Sequence, residues 1–197
     1  MKVTVFDYGA GNLHSLQKAL SVAGAESVVE TDPVAAVMGD ALILPGVGAF
    51  GPAAARLAPG RDRIRQALDA GLPCLGICLG LQLLADGSDE GAGQGLSVIE
   101  GRSTKLNARS LPQIGWNALE EITDPDIRAA GLETAYYANS YVVRPADAGL
   151  VTAWSRHEGD RFPAAIRQGR VLGVQFHPEK SSWPGLAMIR SFLESCR

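Results

Sequence analysis

Cys78 stands between two glycines in Gly76-Ile77-Cys78-Leu79-Gly80, and a second reactive segment, Val174-Gln175-Phe176-His177-Pro178-Glu179, lies far downstream. The first segment follows the apolar run Leu72–Ile77 and leads into Leu79–Ala85, which has helical character. Strand, tight turn and helix in that order have the form of a nucleophile elbow, where glycines two residues to either side let backbone close around a strained residue. A thiol at that turn points out of the sheet, beside backbone N–H groups and the positive end of a helix, and both stabilise negative charge on sulfur. His177 supplies a base. Glu179 supplies a carboxylate to orient it, because residues i and i+2 of an extended segment lie on one side of the chain. These are the parts of a nucleophilic triad. A lone cysteine reads as core and a lone histidine as a satisfied loop residue. The elbow and the His-Pro-Glu run together favour chemistry.

The elements that must position these groups alternate regularly in the first half of the chain. Residues 2–7 are strand-like, and residues 12–23 are helical, with Leu13, Leu16, Ala19, Leu20 and Ala23 on one face. Ser27–Glu30 is a short strand, and Ala41–Leu44 a buried one that stops at Pro45-Gly46. Residues 64–70 belong to a helix ending at Gly71, before the Leu72–Ile77 strand. Strands alternating with helices predict a parallel sheet covered on both faces, with its site beyond the strands' carboxyl ends. Asp7-Tyr8-Gly9, Pro45-Gly46-Val47-Gly48, Cys78 and His177 all fall at such ends, so four segments converge on one crevice. After Asp86 a Gly-rich loop follows. Short β-like pieces then appear around 97–105, 117–122, 135–143, 150–156, 162–168 and 171–176, and read as an antiparallel extension of the sheet. The chain closes with a helix over about 184–195. No repeat, low-complexity tract or linker divides residues 1–197, so one α/β domain is expected.

Composition excludes several function classes. The chain has 197 residues, 46% of them hydrophobic and 20% charged, with a formal charge of −3. No basic patch with interleaved aromatics points to nucleic acid. No apolar stretch approaches the ~18 residues of a membrane span, and the N-terminal segment reads as a strand, not a signal peptide. Three irregularly spaced cysteines argue against a disulfide framework and for a reduced, cytoplasmic compartment. Cys74 reads as core and Cys196 as inert. Nothing calls for a metal or a cofactor.

Gly-Ile-Cys-Leu-Gly with a downstream Gln-Phe-His-Pro-Glu resembles the class I (triad) glutamine amidotransferases. Further segments are similar to the glutaminase subunits of imidazole glycerol phosphate synthases: Asp7–Leu13 with Ser15, Leu44–Phe50, Gly95-Leu96 with Ile99-Glu100-Gly101, Pro112–Asn117 and Gly173–Ser181. The likeness spans nearly the whole chain in the family's order. It implies a flavodoxin-like, mostly parallel sheet. It also implies hydrolysis of glutamine to glutamate and ammonia, and a heterodimer with a (β/α)₈-barrel cyclase subunit that takes the ammonia in histidine biosynthesis. The chain departs from the family's usual pattern at Asn139 and Gln113, where relatives often carry His.

In that chemistry Cys78 attacks the carboxamide, His177 carries the proton and Glu179 fixes its tautomer. The Leu79 N–H, next after the nucleophile, serves the oxyanion. A second donor comes from Gly46, Val47 or Gly48, although this segment alone also reads as a strand-ending turn. The resemblance puts Gln82 and Glu90 at the substrate's amino end and the Ser140-Tyr141 backbone at its carboxylate. The i, i+4 spacing from Cys78 supports Gln82, while Glu90 equally reads as a solvated loop carboxylate. The resemblance also puts Asn12, Trp116, Tyr136 and Lys180 at the partner surface. Asn12 equally reads as a helix N-cap, and Trp116 as core. A glutaminase of another pathway (anthranilate, aminodeoxychorismate or pyridoxal phosphate) and a catalytically silent module are the alternatives. Asp7-Tyr8-Gly9 with Gly115-Trp116-Asn117 disfavours the first, and the intact Cys78, His177 and Glu179 disfavour the second.

Overall fold

Three four-residue segments of the chain, Ala41–Leu44, Cys74–Ile77 and Val171–Val174, are buried at every position. Such runs are sheet interiors covered on both faces. In the computed structural model, which describes residues 1–9 and 13–196, they are the central strands β3, β4 and β12. The other strands are β1 (Lys2–Phe6), β2 (Glu26–Glu30), β5 (Gly87–Ser88), β6 (Gly101–Lys105), β7 (Gln113–Ala118), β8 (Thr134–Asn139), β9 (Tyr141–Pro145), β10 (Val151–His157) and β11 (Asp160–Gln168). The helices are α1 (His14–Val22), α2 (Phe50–Leu57), α3 (Arg61–Asp69), α4 (Leu79–Leu84), α5 (Pro125–Ala129) and α6 (Ser182–Ser195).

The main sheet has seven strands in the order β10-β11-β12-β4-β3-β1-β2. From β12 to β2 all neighbours are parallel, and β10 and β11 add an antiparallel hairpin at the β12 side. The period of two along each central strand splits its side chains between two cores. Leu75 and Ile77 of β4 face the core shared with α1 and α6, with Leu16, Leu20, Ile189 and Phe192. Cys74 faces the opposite core, with Phe50, Leu57 and Ile64 of α2 and α3. Cys74 is therefore the core thiol expected from its place in the strand.

The antiparallel extension is narrower than the sequence suggested. Among the described residues only β10 and β11 extend the main sheet in that sense, since the expected 171–176 piece, as β12, meets β11 antiparallel but runs parallel to β4. The expected 135–143 strand is two strands broken at Ser140. The first, β8, pairs with β7 as a separate two-stranded sheet, and β9 joins β6 and β5 in a three-stranded one. The hydrophobic pattern continues across the break and hides it. Helices α2 and α5 were not read from the sequence, although α2 buries Phe50, Ala53, Ala54 and Leu57 at i, i+3, i+4 and i+7 and α5 has a clear start, where the Asp124 carboxylate accepts from the N–H groups of Asp126 and Ile127.

Candidate active site

Strands β12, β4, β3 and β1 are consecutive in the sheet and parallel, so the segments after Val174, Ile77, Leu44 and Phe6 leave at the same edge. Beyond β4 the chain turns at Cys78, whose φ of 49° lies in the left-handed region disfavoured for a side-chain-bearing residue. Its N–H donates to Val174 O at 2.7 Å, and its carbonyl accepts from Gln82 N at 3.2 Å as α4 begins. The two flanking glycines make this crowding possible. A Cβ on Gly80 would sit 2.0 Å from Leu44 O, and one on Gly76 would sit 2.9 Å from the Gly80 carbonyl.

Cys78 is buried to 5% exposure, His177 to 1%. His177 Nδ1 lies 2.8 Å from Glu179 Oε1, but the expected extended segment is instead a single 3-10 turn over Pro178–Lys180, which swings the carboxylate back to the ring. A carboxylate only accepts, so Nδ1 carries the hydrogen and Nε2 is left for the thiol. Burial pushes the imidazole pKa down, but hydrogen bonding and negative charge from Cys78 and Glu179 outweigh it and raise it from 6.5 to about 10. On the other side the ring packs against Gly46, where a Cβ would stand 2.9 Å from His177 Cε1.

These groups border a cleft of about 320 Å³. Gly46, Val47, Gly48, Leu79, Gln82, Glu90, Ser140, Tyr141 and Lys180 line it with Cys78 and His177, so the expected oxyanion and substrate segments meet there. Glu179 stands behind the imidazole and not on the cleft lining. Glu90 is exposed in its loop, as the alternative reading has it, and its Oε2 also accepts from the Phe50 N–H at 2.9 Å at the start of α2. The Tyr141 carbonyl is already occupied, accepting from Gln82 Nε2 at 3.3 Å and Asn139 Nδ2 at 3.2 Å. A carboxylate at this place would have to use backbone N–H groups.

Trp116 is 55% exposed, so the core alternative is overturned. Its ring meets Tyr136 edge-to-face at 6.3 Å, and Lys180 Nζ sits 5.8 Å from the Tyr136 ring centre. The three form one strip from the cleft to the outer face of β7. Asn12 lies outside the described residues.

Two residues with structural work at the site carried no assigned role in the sequence. Gln175 Nε2 donates to Cys78 Sγ at 3.5 Å; its place two residues before His177 in an extended run was the available signal. Ser181 is fully buried, and its hydroxyl donates to His177 O at 2.7 Å while accepting from the Tyr136 N–H at 3.0 Å. His177 N in turn donates to Tyr136 O at 2.8 Å. Ser181 occupies the N-cap position of α6 without capping it, because its hydroxyl is used to latch the histidine loop. Only the fold brings Tyr136 to it.

Residues 4–196 match the family model for class-I glutamine amidotransferases. The chain is 44% identical to the imidazole glycerol phosphate synthase subunit HisH of Symbiobacterium thermophilum, over 97% of this chain and 92% of that one. It is 40% identical to HisH of Halobacterium salinarum, over 98% and 93%. Among solved structures, a glutamine amidotransferase superposes with a TM-score of 0.77 at 25% identity, covering 98% of both chains. One from Thermotoga maritima superposes with a TM-score of 0.70 at 15% identity, over 100% of this chain and 97% of that one, which speaks to fold alone.

Proposed function

Because this chain belongs to the class-I glutamine amidotransferases, and among them to the HisH subunits of imidazole glycerol phosphate synthase, we propose that Cys78, His177 and Glu179 hydrolyse glutamine and that the ammonia passes to a cyclase subunit for histidine biosynthesis. The observation that carries this reading is the strained Cys78 elbow against an imidazole bound to Glu179.

The Cys78 sulfur attacks the carboxamide carbon, and its proton, held on His177 Nε2, goes to the leaving nitrogen. The C–N bond breaks and ammonia departs, leaving a thioester. Water then adds with His177 as base, and glutamate leaves as the thiol re-forms. Glu179 keeps Nδ1–H bonded throughout, so the ring does not rotate away. The oxyanion is held by the Leu79 N–H and by an N–H of the Gly46-Val47-Gly48 segment, a placement typically worth ~10²–10³ in rate per donor. Gln82 and Glu90 receive the substrate's amino end, and the N–H groups around Ser140 and Tyr141 its carboxylate.

Ammonia released into water near neutral pH is mostly protonated and no longer nucleophilic, so a partner must cover the cleft. We take Trp116, Tyr136 and Lys180 as the contact strip and a (β/α)₈-barrel cyclase as the partner, in a heterodimer. That partner joins the ammonia to a phosphoribulosyl-formimino ribonucleotide, yielding imidazole glycerol phosphate and an aminoimidazole carboxamide ribotide. Among the described residues no helix is long and apolar enough to cross a membrane. The three cysteines are free, which suits a reduced cytoplasm.

The test is glutamate release by the chain with and without the purified cyclase and its nucleotide, for wild type and Cys78→Ala. Cys78→Ala should abolish release while the complex still forms and still makes product from ammonium salt. Turnover near the wild-type rate in Cys78→Ala would remove Cys78 from the mechanism.

A further inference from the structure

Asn139 closes β8 beside the cleft, and Gln82 faces it from α4; each is 5% exposed. Both side-chain amides donate to one atom, the Tyr141 carbonyl oxygen, from Asn139 Nδ2 at 3.2 Å and from Gln82 Nε2 at 3.3 Å. A carbonyl accepts and cannot donate, so this convergence fixes the orientation of both amides. Their oxygens must then face elsewhere. Asn139 Oδ1 and Gln82 Oε1 are both buried and have no hydrogen-bond partner in the protein, and both residues line the cleft that holds Cys78. Buried acceptors are seldom left unpaired. Two of them, held by one shared tether at one cleft, are a socket for a ligand group with at least two N–H bonds.

A glutamine substrate offers two nitrogens. Its carboxamide must lie at Cys78 Sγ, which the His177 imidazole, Gln175 Nε2 and Ala138 O surround. Gln82 is one helical turn further on, about 5.4 Å along the axis, close to the four-bond reach from the reacting carbon to the α-nitrogen. The α-ammonium, with three N–H bonds and a positive charge, fits two fixed amide oxygens with the anchored Glu90 carboxylate on the same cleft.

We propose that Asn139 is a specificity-determining residue: its Oδ1, paired with Gln82 Oε1, accepts hydrogen bonds from the α-ammonium of the substrate. This inference rests on the glutaminase reading and deepens it. It gives a direct role in substrate choice to a position where relatives often carry histidine. The Tyr141 carbonyl keeps its bond from Gln82 when Asn139 is replaced, so the local backbone retains an anchor.

The experiment compares L-glutamine with glutaramate, the same molecule without its α-amino group, in the complete two-subunit enzyme. Wild type, Asn139→Ala and Asn139→Leu are measured for kcat and KM; the leucine variant, close to asparagine in volume, repeats the comparison should the alanine variant fold poorly. Glutamine kcat/KM should fall about tenfold or more, the scale of one hydrogen bond to a charged group, with most of the change in KM. Glutaramate kcat/KM should stay within about twofold, so the preference for glutamine collapses. An equal fall for both substrates would make Asn139 a support for Tyr141 only, and no fall for either would remove it from recognition; each overturns the proposal while leaving the glutaminase intact. A wild-type complex that releases no glutamate from glutamine would overturn the function itself, and the socket with it.

Discussion

His177 is held by three neighbours of different kinds: the carboxylate of Glu179, the sulfur of Cys78 and the Ser181 latch on its carbonyl. The first two raise its pKa above the ordinary value, and a raised base links folding to pH in one direction. The stabilisation is fully present below 6.5 and is lost as pH rises toward about 10. The difference in unfolding free energy between wild type and His177→Gln should therefore shrink across that window in denaturant titrations. A constant difference would show that the imidazole gains nothing from its partners. The latch makes a separate prediction. Ser181→Ala leaves the Tyr136 N–H without its acceptor, while the His177 carbonyl keeps the Lys180 N–H at 3.0 Å, and the orphaned donor should cost about 1–3 kcal/mol. It should also lower glutamate release through a misplaced ring, and both should be largely restored in Ser181→Thr, which keeps the hydroxyl.

At the scale of elements, the elbow between β4 and α4 stores backbone strain that only the sulfur's position justifies. Cys78 at φ 49° carries a penalty of about 1–3 kcal/mol that glycine would not. Cys78→Gly should therefore be more stable than Cys78→Ala by about 1 kcal/mol, after glycine's own entropy cost, although both are inactive. Equal denaturation midpoints would argue that the turn is unstrained. Gly80 is the opposite case, since a Cβ there meets backbone at 2.0 Å and nothing flexible can yield. Gly80→Ala should lose about 3 kcal/mol or more, measured by unfolding, as α4 is pushed off β3. The Gly46-Val47-Gly48 segment is the element suited to a switch, because turning one peptide would add or remove an oxyanion donor. Turnover by the isolated chain should accordingly be weak and rise strongly with the nucleotide-loaded cyclase. An equal rate in both states would take the switch out of the account.

On the scale of the whole molecule, the β7 strip beside the cleft carries two of the large apolar side chains that the described residues leave exposed. Ile114 and Trp116 alternate outward on β7 at 67% and 55% exposure, and Tyr136 and Lys180 connect them to the cleft. A stable interface buries at least ~1,200 Å², with its energy concentrated in buried aromatic anchors and little in rim charges. Trp116→Ala should therefore weaken cyclase binding at least about tenfold. Lys180→Ala should bind nearly as wild type but respond less to nucleotide, because Lys180 lines the cleft next to the triad. A binding isotherm beside the activation ratio separates the two; full activation with normal affinity would reduce Lys180 to a solvated side chain.

The sequence by itself determined the parts whose chemistry is local. Period and punctuation marked β1, β3, β4, α1 and α6. The glycines around Cys78 announced the tight turn, and the His-Pro-Glu run put a carboxylate near the imidazole, although the contact is made by a 3-10 turn over Pro178–Lys180 and not by an extended segment. The tertiary structure alone decided what depends on segments distant in the chain. The strand expected over 135–143 breaks at Ser140 because its halves pair with different partners, β7 and β6, and no local pattern records a partner. Trp116 stays exposed because β7 and β8 form a separate two-stranded ribbon, and no described element packs over the face that carries Ile114 and Trp116. Ser181 had no role in the sequence and became a latch once Tyr136 arrived from 45 residues away. Asn139 looked like a substitution in a strand until the fold set it and Gln82 on the same carbonyl oxygen. Hydrogen bonds between elements are made by approach in space, and sequence carries approach only where it is written into short-range geometry.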